Sequence, residues 1–349
     1  MSRLEDVFEL VSISSLSRHE SALATHVEGV LRTNQSLDVE RVGDNVVART
    51  TGHRATRVIV AGHLDTVPGD PRAAVMEGNE LIGLGACDMK GSLAVMLALA
   101  LDETPRSVEV TWIFYAREEI SRKESGLVEL IELRPDLLRG DVAILAEPTA
   151  GAVEAGCQGT LRVRVDMAGR RAHTARPFAG RNAIHRVAEV ISRVAHYEPR
   201  TVVLDGVEYA EQLQVVFVEG GVAANVVPDA ATITINHRVA PDRSPEEAVA
   251  WLRSYLDDLM VEGDAFSVLD WAPSAQPMLS HERLNALVAL TSRPARAKWG
   301  WTDVATFQEL AIPATNFGAG DPLLAHRSDE KITGDELEAF ETVLRAWLS

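Results

Sequence analysis

The amino-acid sequence predicts an α/β domain that is interrupted by a smaller α+β domain. Three apolar segments are each followed within three residues by acidic or histidine residues: Val58–Ala61, Val108–Tyr115 and Val142–Ala146. After residue 159 apolar and polar residues alternate instead, which is typical of antiparallel strands with one wet face. Beyond Trp271-Ala272-Pro273 the α/β character returns. We therefore expect one domain formed by residues 1–159 and 273–349, with an insertion over 160–272.

The elements of the first part follow in chain order. Residues 4–32 are predicted as two helices with a break near Ser12–Ser17, and 39–49 as a hairpin that turns at Gly43-Asp44-Asn45. After the strand 58–61, a glycine-rich loop carries Asp88 to an apolar helix, 93–101. A free charge has little reason to lie just ahead of a buried helix, so Asp88 is a candidate functional residue.

The insertion combines alternating strands at 161–166, 214–218 and 232–236 with two amphipathic helices. The first helix, 182–197, is predicted to bury Ile184, Val187, Val190, Ile191 and Val194. The second helix, 246–260, is predicted to bury Val249, Leu252, Leu256 and Leu259. The order strand–helix–strand–strand–helix–strand predicts a small α+β domain. The final part is predicted as helix 284–290, strand 312–317, a loop with His326, and helix 335–348.

Bulk properties narrow the classes of function. The chain has 349 residues and a formal net charge of −17, which repels phosphate backbones and argues against a nucleic-acid partner. Two cysteines without CxxC spacing argue against a disulfide framework and fit a reducing compartment. No signal peptide and no apolar run of membrane-spanning length is evident. We expect a cytoplasmic protein.

Two histidines and four carboxylates form a candidate ligand set: His63, Asp88, Glu118, Glu119, Glu147 and His326. A mixed nitrogen and oxygen set suits zinc, cobalt or manganese, whereas calcium prefers oxygen alone. Asp65 lies on the same face of an extended chain as His63, where its carboxylate can hold the second ring nitrogen. Taken alone, this pair could also be a strand followed by a polar loop.

The set contains more carboxylates than one tetrahedral zinc needs. A two-metal site with one bridging carboxylate uses the surplus, and Asp88 is the predicted bridge. Glu118 and Glu119 are adjacent and point in different directions, so one can coordinate while the other removes a proton from a metal-activated water. Glu118 could also be a solvated acid at a helix start.

The motifs resemble those of the co-catalytic di-zinc amidohydrolases, which include aminoacylases, glutamate carboxypeptidases, acetylornithine deacetylase and succinyl-diaminopimelate desuccinylase. The resemblance covers nearly the whole chain. It is carried in the family's order by four motifs: Gly62–Pro68, Gly83–Gly91, Ala116–Glu119 and Ala146–Thr149. His326, within Leu324–Glu330, stands where the last metal ligand of the family is expected.

The resemblance implies a role for each matching residue. His63 and Glu147 would hold one zinc, Glu119 and His326 the other, and Asp88 would bridge them. Glu118 would be the general base, and Asp65 would orient His63.

The resemblance also implies a fold and an assembly. A catalytic α/β sandwich with a mixed, zinc-peptidase-like sheet would be interrupted by a ferredoxin-like lid domain, through which two subunits form a homodimer. Cobalt or manganese could substitute for zinc.

The insertion is further implied to supply substrate contacts. His173, in Arg171–Pro177, matches a histidine that reaches the partner subunit's active site and steadies the oxyanion. Asn225 and Arg238 match residues that bind the substrate's carboxylate, which suits the planar fork of arginine. Asn225 could equally be a turn residue, and Arg238 a surface ion-pair partner.

The amino-acid sequences of three segments are most similar to those of a branch of the succinyl-diaminopimelate desuccinylases: Ala172–Arg176, Gly180–His185 and Gly300–Asp303. Thr302, in the last segment, is a candidate substrate contact. Two departures affect the substrate pocket. The better-known desuccinylases have Gly-Gly-Thr-Ser-Asp in place of Gly300–Asp303, and an arginine before a Gly-Ser where this chain has Cys157–Thr160. Arg176 could replace the missing positive charge.

The sequence therefore predicts a metal-dependent amide hydrolase that removes the succinyl group from N-succinyl-L,L-diaminopimelate in lysine and diaminopimelate biosynthesis. An N-acetylornithine deacetylase, a general aminoacylase and a dipeptidase are alternatives within the same chemistry, all acting on small N-acyl amino acids or peptides. A catalytically inactive dimeric binding protein is the alternative outside it.

Overall fold

The computed structural model describes residues 2–69 and 74–349. It divides into two compact units. Unit 1 comprises Met1–Gly156, Pro277–Ala297 and Thr302–Ser349, and unit 2 comprises Cys157–Gln276 and Lys298–Trp301. The insertion predicted over 160–272 lies within unit 2, but the sequence assigns residues 298–301 to the other domain. The indole N–H of Trp301 donates to the carbonyl of Pro273 (2.9 Å), which attaches this short segment to unit 2.

The helices of the described chain are α1 (Arg3–Ser12), α2 (Ser21–Leu31), α3 (Gly91–Leu101), α4 (Gly126–Leu133), α5 (Ala183–Ala195), α6 (Pro245–Leu256), α7 (Glu282–Leu290), α8 (Val304–Glu309) and α9 (Gly334–Leu348). Three of them, α1, α6 and α9, begin at capping boxes, in which a Ser or Thr and a Glu three residues later satisfy each other's backbone N–H groups.

The strands are β1 (Leu37–Val42), β2 (Asn45–Thr50), β3 (Arg57–His63), β4 (Val75–Glu77), β5 (Glu80–Ile82), β6 (Glu109–Tyr115), β7 (Val142–Leu145), β8 (Glu154–Ala155), β9 (Gly159–Ala168), β10 (Ala172–His173), β11 (Thr201–Leu204), β12 (Val207–Ala210), β13 (Gln212–Gly220), β14 (Val226–Val227), β15 (Ala230–Val239), β16 (Ala265–Ala272), β17 (Arg296–Ala297), β18 (Ala314–Asn316) and β19 (Lys331–Thr333).

Unit 1 contains an eight-stranded mixed sheet with the order β1-β2-β6-β3-β7-β18-β8-β17. The three apolar strands singled out by the sequence, β6, β3 and β7, are neighbours and run parallel. Their carboxyl ends therefore meet at one edge, where ligands bind in α/β sheets. A separate sheet, β19-β5-β4, pairs Lys331–Thr333 with Glu80–Ile82.

Unit 2 is built on an antiparallel sheet with the order β13-β15-β9-β16, and α5 and α6 contribute to its apolar core. With the strand–helix–strand–strand–helix–strand order, this is the predicted ferredoxin-like arrangement. The prediction for α5 was partly wrong, because Ile184 and Ile191 are 38% and 37% exposed. The buried stripe consists of Ala183, Val187, Val190 and Val194, and the two isoleucines lie on its flank.

The mixed sheet of unit 1 and the antiparallel sheet of unit 2 confirm the predicted fold class. Among the described residues, no helix combines the length and the apolar character needed to traverse a bilayer.

Candidate metal centre

The carboxyl ends of three parallel strands bring together residues that are far apart in the chain. His63 is the last residue of β3, Glu118 and Glu119 follow β6, and Glu147 follows β7. The strands are almost entirely buried. Polar side chains that could bind a ligand therefore lie at the ends of the strands. The topology of the sheet thus gathers four of the six candidate ligands.

Asp88 lies between two imidazoles. Its Oδ1 is 3.1 Å from Nε2 of His63, and its Oδ2 is 3.3 Å from Nε2 of His326. The turn Ala86–Lys90 ahead of α3 places the side chain there. One carboxylate therefore presents one oxygen to each histidine, as a carboxylate shared by two cations would.

A second carboxylate accompanies each imidazole. Glu119 Oε1 is 2.8 Å from Nε2 of His326, and Glu147 Oε1 is 4.0 Å from Nε2 of His63. Donor atoms of His63, Asp88 and Glu119 all lie within 4.8 Å of one another, a spacing that could hold a metal ion. We call His63 with Glu147 the His63 half-site, and Glu119 with His326 the His326 half-site; Asp88 is common to both.

The two half-sites differ in how they are supported. The side chain of His63 is 1% exposed and ends a central strand, whereas that of His326 is 51% exposed. His326 also lies in a loop and has a left-handed backbone conformation, with φ +63°. The His63 half-site is fixed by the sheet, while the His326 half-site depends on the anchoring of its loop.

The electrostatics of the cluster favour positive charge. Burial opposes protonation of His63, but Asp65 and Asp88 outweigh it, so the pKa of His63 lies well above its ordinary value. Hydrogen bonding to Asp88 and Glu119 raises the pKa of His326 to about 10. Burial opposes ionisation of Asp88, yet the two imidazoles lower its pKa. A cation placed between these groups would meet the same attraction as the protons.

Asp65 contacts both His63 and the two adjacent glutamates. Nδ1 of His63 lies 3.0 Å from the backbone carbonyl oxygen of Asp65 and 3.6 Å from its carboxylate. The carboxylate accepts the backbone N–H groups of Glu118 (2.9 Å) and Glu119 (3.0 Å), and the hydroxyl of Ser17 (2.7 Å). Its main chain and its carboxylate thus both face Nδ1 of His63, and the carboxylate also positions the two adjacent glutamates; its role in orienting His63 stays a prediction.

Glu118 is the acidic residue of this edge whose electrostatics differ most from those of the ligands. Burial, followed by the neighbouring carboxylate of Glu147, raises the pKa of Glu118 well above its ordinary value. A carboxylate with a raised affinity for protons suits proton transfer.

The predicted substrate contacts of the insertion lie in unit 2. His173 pairs with Val226 between β10 and β14, and its Nδ1 accepts the backbone N–H of Ala175 (3.0 Å). The carbonyl of Asn225 accepts the N–H of Thr174 (3.1 Å).

The two predicted arginines of unit 2 differ in exposure. Arg176 is exposed, whereas Arg238 is partly buried and donates to the hydroxyl of Thr160 (2.6 Å). Thr302, in unit 1, is 3% exposed and donates to Asn316 Oδ1 (2.8 Å). The substrate-binding roles of all these residues stay predictions.

Sequence reasoning missed several buried polar residues around the cluster. Tyr115 is the last residue of β6, and burial together with the charge of Asp303 raises its pKa. Burial also raises the pKa of Asp303. The Oδ1 atom of Asp303 accepts a hydrogen bond from the hydroxyl of Thr306 (2.5 Å). Glu330 accepts three backbone N–H groups around Asp88. Glu330 lies four residues after His326 and within the motif Leu324–Glu330, and this position could have identified it from the sequence. Ser17, which donates to Asp65, has no such signal in the sequence.

Comparisons with known proteins show which family and fold the chain is similar to. The model of peptidase family M20/M25/M40 matches residues 59–349. A Mycobacterium tuberculosis protein named "Putative succinyl-diaminopimelate desuccinylase DapE" is 46% identical over 341 residues, 97% of this chain and 96% of that protein. A Corynebacterium glutamicum succinyl-diaminopimelate desuccinylase is 40% identical over 347 residues, 97% and 94% of the two chains. The crystal structure of a Staphylococcus aureus tripeptidase, 20% identical, superposes with a TM-score of 0.79 over 99% of this chain and 97% of that chain.

Proposed function

The chain belongs to peptidase family M20/M25/M40, and from this premise we propose that it is a di-zinc amidohydrolase that removes the succinyl group from N-succinyl-L,L-diaminopimelate. The position of Asp88, with one carboxylate oxygen toward each of two imidazoles, carries the proposed reaction class. The substrate is supported by relatives at 46% and 40% identity whose names include this activity. The product is a diamino-dicarboxylate that serves lysine and diaminopimelate biosynthesis.

The donor set fits two divalent cations. His63 and Glu147 would hold one ion, Glu119 and His326 the other, and Asp88 would serve both. Imidazole nitrogen and carboxylate oxygen are ligands that zinc accepts, and that cobalt and manganese accept as well. When bound, such ions supply Lewis acidity, which lowers the pKa of water and polarises an amide carbonyl.

Glu118 is proposed as the general base and then the general acid. Its carboxylate would take the proton of the attacking water and later deliver it to the leaving amine, which otherwise departs as a poor leaving group. Asp65 holds the backbone N–H groups of Glu118 and Glu119, so it keeps the base and the ligand in a fixed relation. The raised pKa of Glu118 supports a group that can hold a proton between these two steps.

The proposed substrate contacts are His173 for the oxyanion and Asn225, Arg238, Arg176 and Thr302 for substrate binding. A succinylated diamino-dicarboxylate is polyanionic, and arginine can grip a carboxylate with two parallel hydrogen bonds. Arg176 is the exposed arginine proposed to recognise the succinyl carboxylate. We expect Arg176→Ala to raise the KM for the succinylated substrate; an unchanged KM would remove Arg176 from the proposal.

A substrate panel tests the proposed reaction. Zinc-loaded enzyme would be assayed against N-succinyl-L,L-diaminopimelate, N-acetylornithine, N-acetyl amino acids and dipeptides. We expect kcat/KM for the succinyl compound to exceed the others by about 100-fold or more, because a pocket built to pair charged groups rejects ligands that lack them. A preference for an acetyl substrate would overturn the substrate assignment. Hydrolysis of none, with two metals bound, would favour a binding protein.

The role of Glu118 is tested by Glu118→Gln. We expect kcat to fall by about 1,000-fold, because the amide cannot accept the proton, while zinc content stays unchanged. Glu124→Gln, on the same loop but at an exposed ion pair with Arg18, is the control and should keep full activity. Loss of metal together with activity would contradict the assignment of Glu118 as a base rather than a ligand.

We also propose that the protein is a homodimer that associates through unit 2. Strand β13 is an edge of its sheet and leaves backbone groups unpaired, a feature that proteins normally protect. The side chains of Val216, Phe217 and Val218 on this strand are 43%, 65% and 47% exposed. Ile184 and Ile191 of α5 extend the apolar surface, so pairing of two such edges around a two-fold axis would cover it.

The dimer is tested by Phe217→Asp, with mass measured by light scattering after size-exclusion chromatography. We expect a dimer for the wild type and a monomer for the variant. Leu133→Asp changes a side chain of similar exposure (60%) at the end of α4 in unit 1 and should leave the dimer intact. A monomeric wild type, or a dimeric Phe217→Asp, would contradict the proposed interface.

A further inference from the structure

Glu330 is a buried acid that the proposed reaction does not use directly. It is 2% exposed, and its carboxylate accepts three backbone N–H groups from the turn that carries Asp88. Oε1 accepts those of Cys87 and Asp88, both at 2.9 Å, and Oε2 accepts that of Gly85 at 3.0 Å. A carboxylate that satisfies three amides is a strong local restraint, because hydrogen bonds to an ionised acceptor are stronger than those between neutral groups.

The backbone of Glu330 belongs to the loop of His326. The turns between them are closed by backbone hydrogen bonds from Arg327 to Leu324 and from Glu330 to Arg327. Directly after Glu330, strand β19 pairs with β5, and the N–H of Gly83 donates to the carbonyl of Glu330 (2.9 Å). The main chain of Glu330 is thus part of the His326 loop, and its side chain is hydrogen-bonded to the Asp88 turn.

The two half-sites need this restraint to different degrees. His63 and Glu147 follow neighbouring parallel strands, so the sheet itself sets their separation. His326 comes from a loop, and its side chain is half exposed. The distance between Asp88 Oδ2 and His326 Nε2, 3.3 Å, spans two loops that are 238 residues apart in the sequence, and Glu330 connects them.

We propose that Glu330 is a positioning residue that sets the spacing of Asp88 and His326, and thereby the affinity of the His326 half-site for its metal ion. This inference rests on the proposed two-metal function. Residues that orient metal ligands typically change metal affinity by about 10- to 100-fold when replaced. The consequence specific to this geometry is asymmetry: because Asp88 serves both half-sites but the sheet fixes His63 and Glu147, the ion of the His326 half-site should be weakened more than the other.

The test is zinc binding to Glu330→Gln, followed by calorimetry and by metal analysis after dialysis. The amide keeps the size of the side chain but turns an NH2 group toward an N–H donor, so at least one of the three hydrogen bonds is lost. We expect two ions in the wild type, and in the variant one ion bound about 10- to 100-fold more weakly and the other weakened by a clearly smaller factor. At excess zinc, kcat should recover to within a few-fold with KM unchanged, which a merely structural defect would not allow.

Glu109→Gln is the matched control. Glu109 is also 2% exposed, and its carboxylate accepts the backbone N–H groups of Gly52 (3.1 Å) and Arg54 (3.2 Å) at the start of β6, the opposite end of that strand from the site. Its replacement removes the same kind of interaction and should leave both zinc affinities unchanged. Equal zinc affinities in Glu330→Gln and wild type would overturn the inference, as would an equal loss in Glu109→Gln.

A measurement on the wild type covers the case in which Glu330→Gln does not fold. In metal-free protein, hydrogen exchange at the amides of Gly85, Cys87 and Asp88 should be slow, because Glu330 accepts them without any metal. Rapid exchange there would contradict the inference. A wild type that binds fewer than two ions would instead refute the proposed function, so the two failures are distinguishable.

Discussion

The buried acids of the candidate metal centre in unit 1 and two buried acids of unit 2 have different partners. In unit 2, the side chain of Asp264 is 0% exposed and forms a salt bridge to Arg186 at 2.6 Å. Glu211, equally buried, lies 3.2 Å from Arg243 and 3.3 Å from Arg200. Each of these acids is paired with a permanent cation from the chain itself.

In unit 1, within the part of the chain that the structure describes, the ion-pair partners of Asp88 and Glu119 are histidines. An imidazole carries a positive charge only when it is protonated, and a neutral imidazole is a metal ligand. The pKa values of Asp264 and Asp88 are both lowered, that of Asp264 to about 2, whereas burial and the carboxylate of Glu147 raise the pKa of Glu118. The comparison teaches that Asp264 and Glu211 are neutralised by arginines of the chain itself, whereas Asp88 and Glu119 are paired with imidazoles and can accept cations from solution.

Of the substitutions that test this comparison, Asp88→Asn should have the largest effect, and the effect is on zinc affinity. An amide presents one oxygen in place of two, so it cannot serve both half-sites, and we expect zinc affinity to fall by at least about 100-fold. Without metal, the variant should be less stable than the wild type, because it loses the ion pairs with His63 and His326 that lower the pKa of Asp88. Zinc titration and thermal unfolding of the metal-free proteins check both statements. Unchanged zinc content would remove Asp88 from the centre.

Asp264→Asn should lower the stability of unit 2 and leave zinc binding unchanged. It leaves Arg186 buried without its partner, and we expect a loss of about 3 kcal/mol in the free energy of unfolding of unit 2. Zinc content should not change. Asp258→Asn breaks an arginine pair that is largely exposed, 33% and 64% for the two side chains, and should have a much smaller effect. Denaturant unfolding compares the two variants; equal losses would mean that burial does not distinguish the pairs.

The effect of pH on the stability of unit 2 should be smaller than the effects of Asp88→Asn and Asp264→Asn. Burial raises the pKa of Asp264, but hydrogen bonds from Arg186 and from backbone N–H groups outweigh it, and the folded value is about 2 against an ordinary 3.8. Because the folded pKa is the lower one, this stabilisation is complete above pH 4 and is lost as the pH falls toward 2. The difference corresponds to about 2 kcal/mol. In metal-free protein, the loss of stability between pH 5 and pH 3 should be smaller by about 1 kcal/mol in Asp264→Asn, because only about half of this stabilisation is lost at pH 3; identical losses would contradict the assignment.

The parts of the fold predicted from sequence are those with a local signal. The strands β3, β6 and β7 were predicted because apolar residues run without interruption to a polar end, and parallel pairing then placed His63, Glu119 and Glu147 at one edge. The resemblance added His326, whose loop has no periodicity of its own.

Long-range contacts account for what the sequence did not reveal. The carboxylate of Glu330 meets Asp88 across 242 residues, and that of Asp65 meets Glu118 across 53. No pattern along the chain reports such pairs. The exposure of Ile184 was mispredicted because periodicity identifies an apolar face but not how much of it the sheet covers. The three-residue strands β4, β5 and β19 are too short to carry a periodic signal.

Anomalous X-ray diffraction at the zinc edge, from crystals of the zinc-loaded protein, tests the central claim most directly. We expect two peaks about 3.5–4 Å apart, on either side of the Asp88 carboxylate, one beside His63 and Glu147 and the other beside Glu119 and His326. A single peak, or zinc bound away from these five residues, would contradict the two-metal centre.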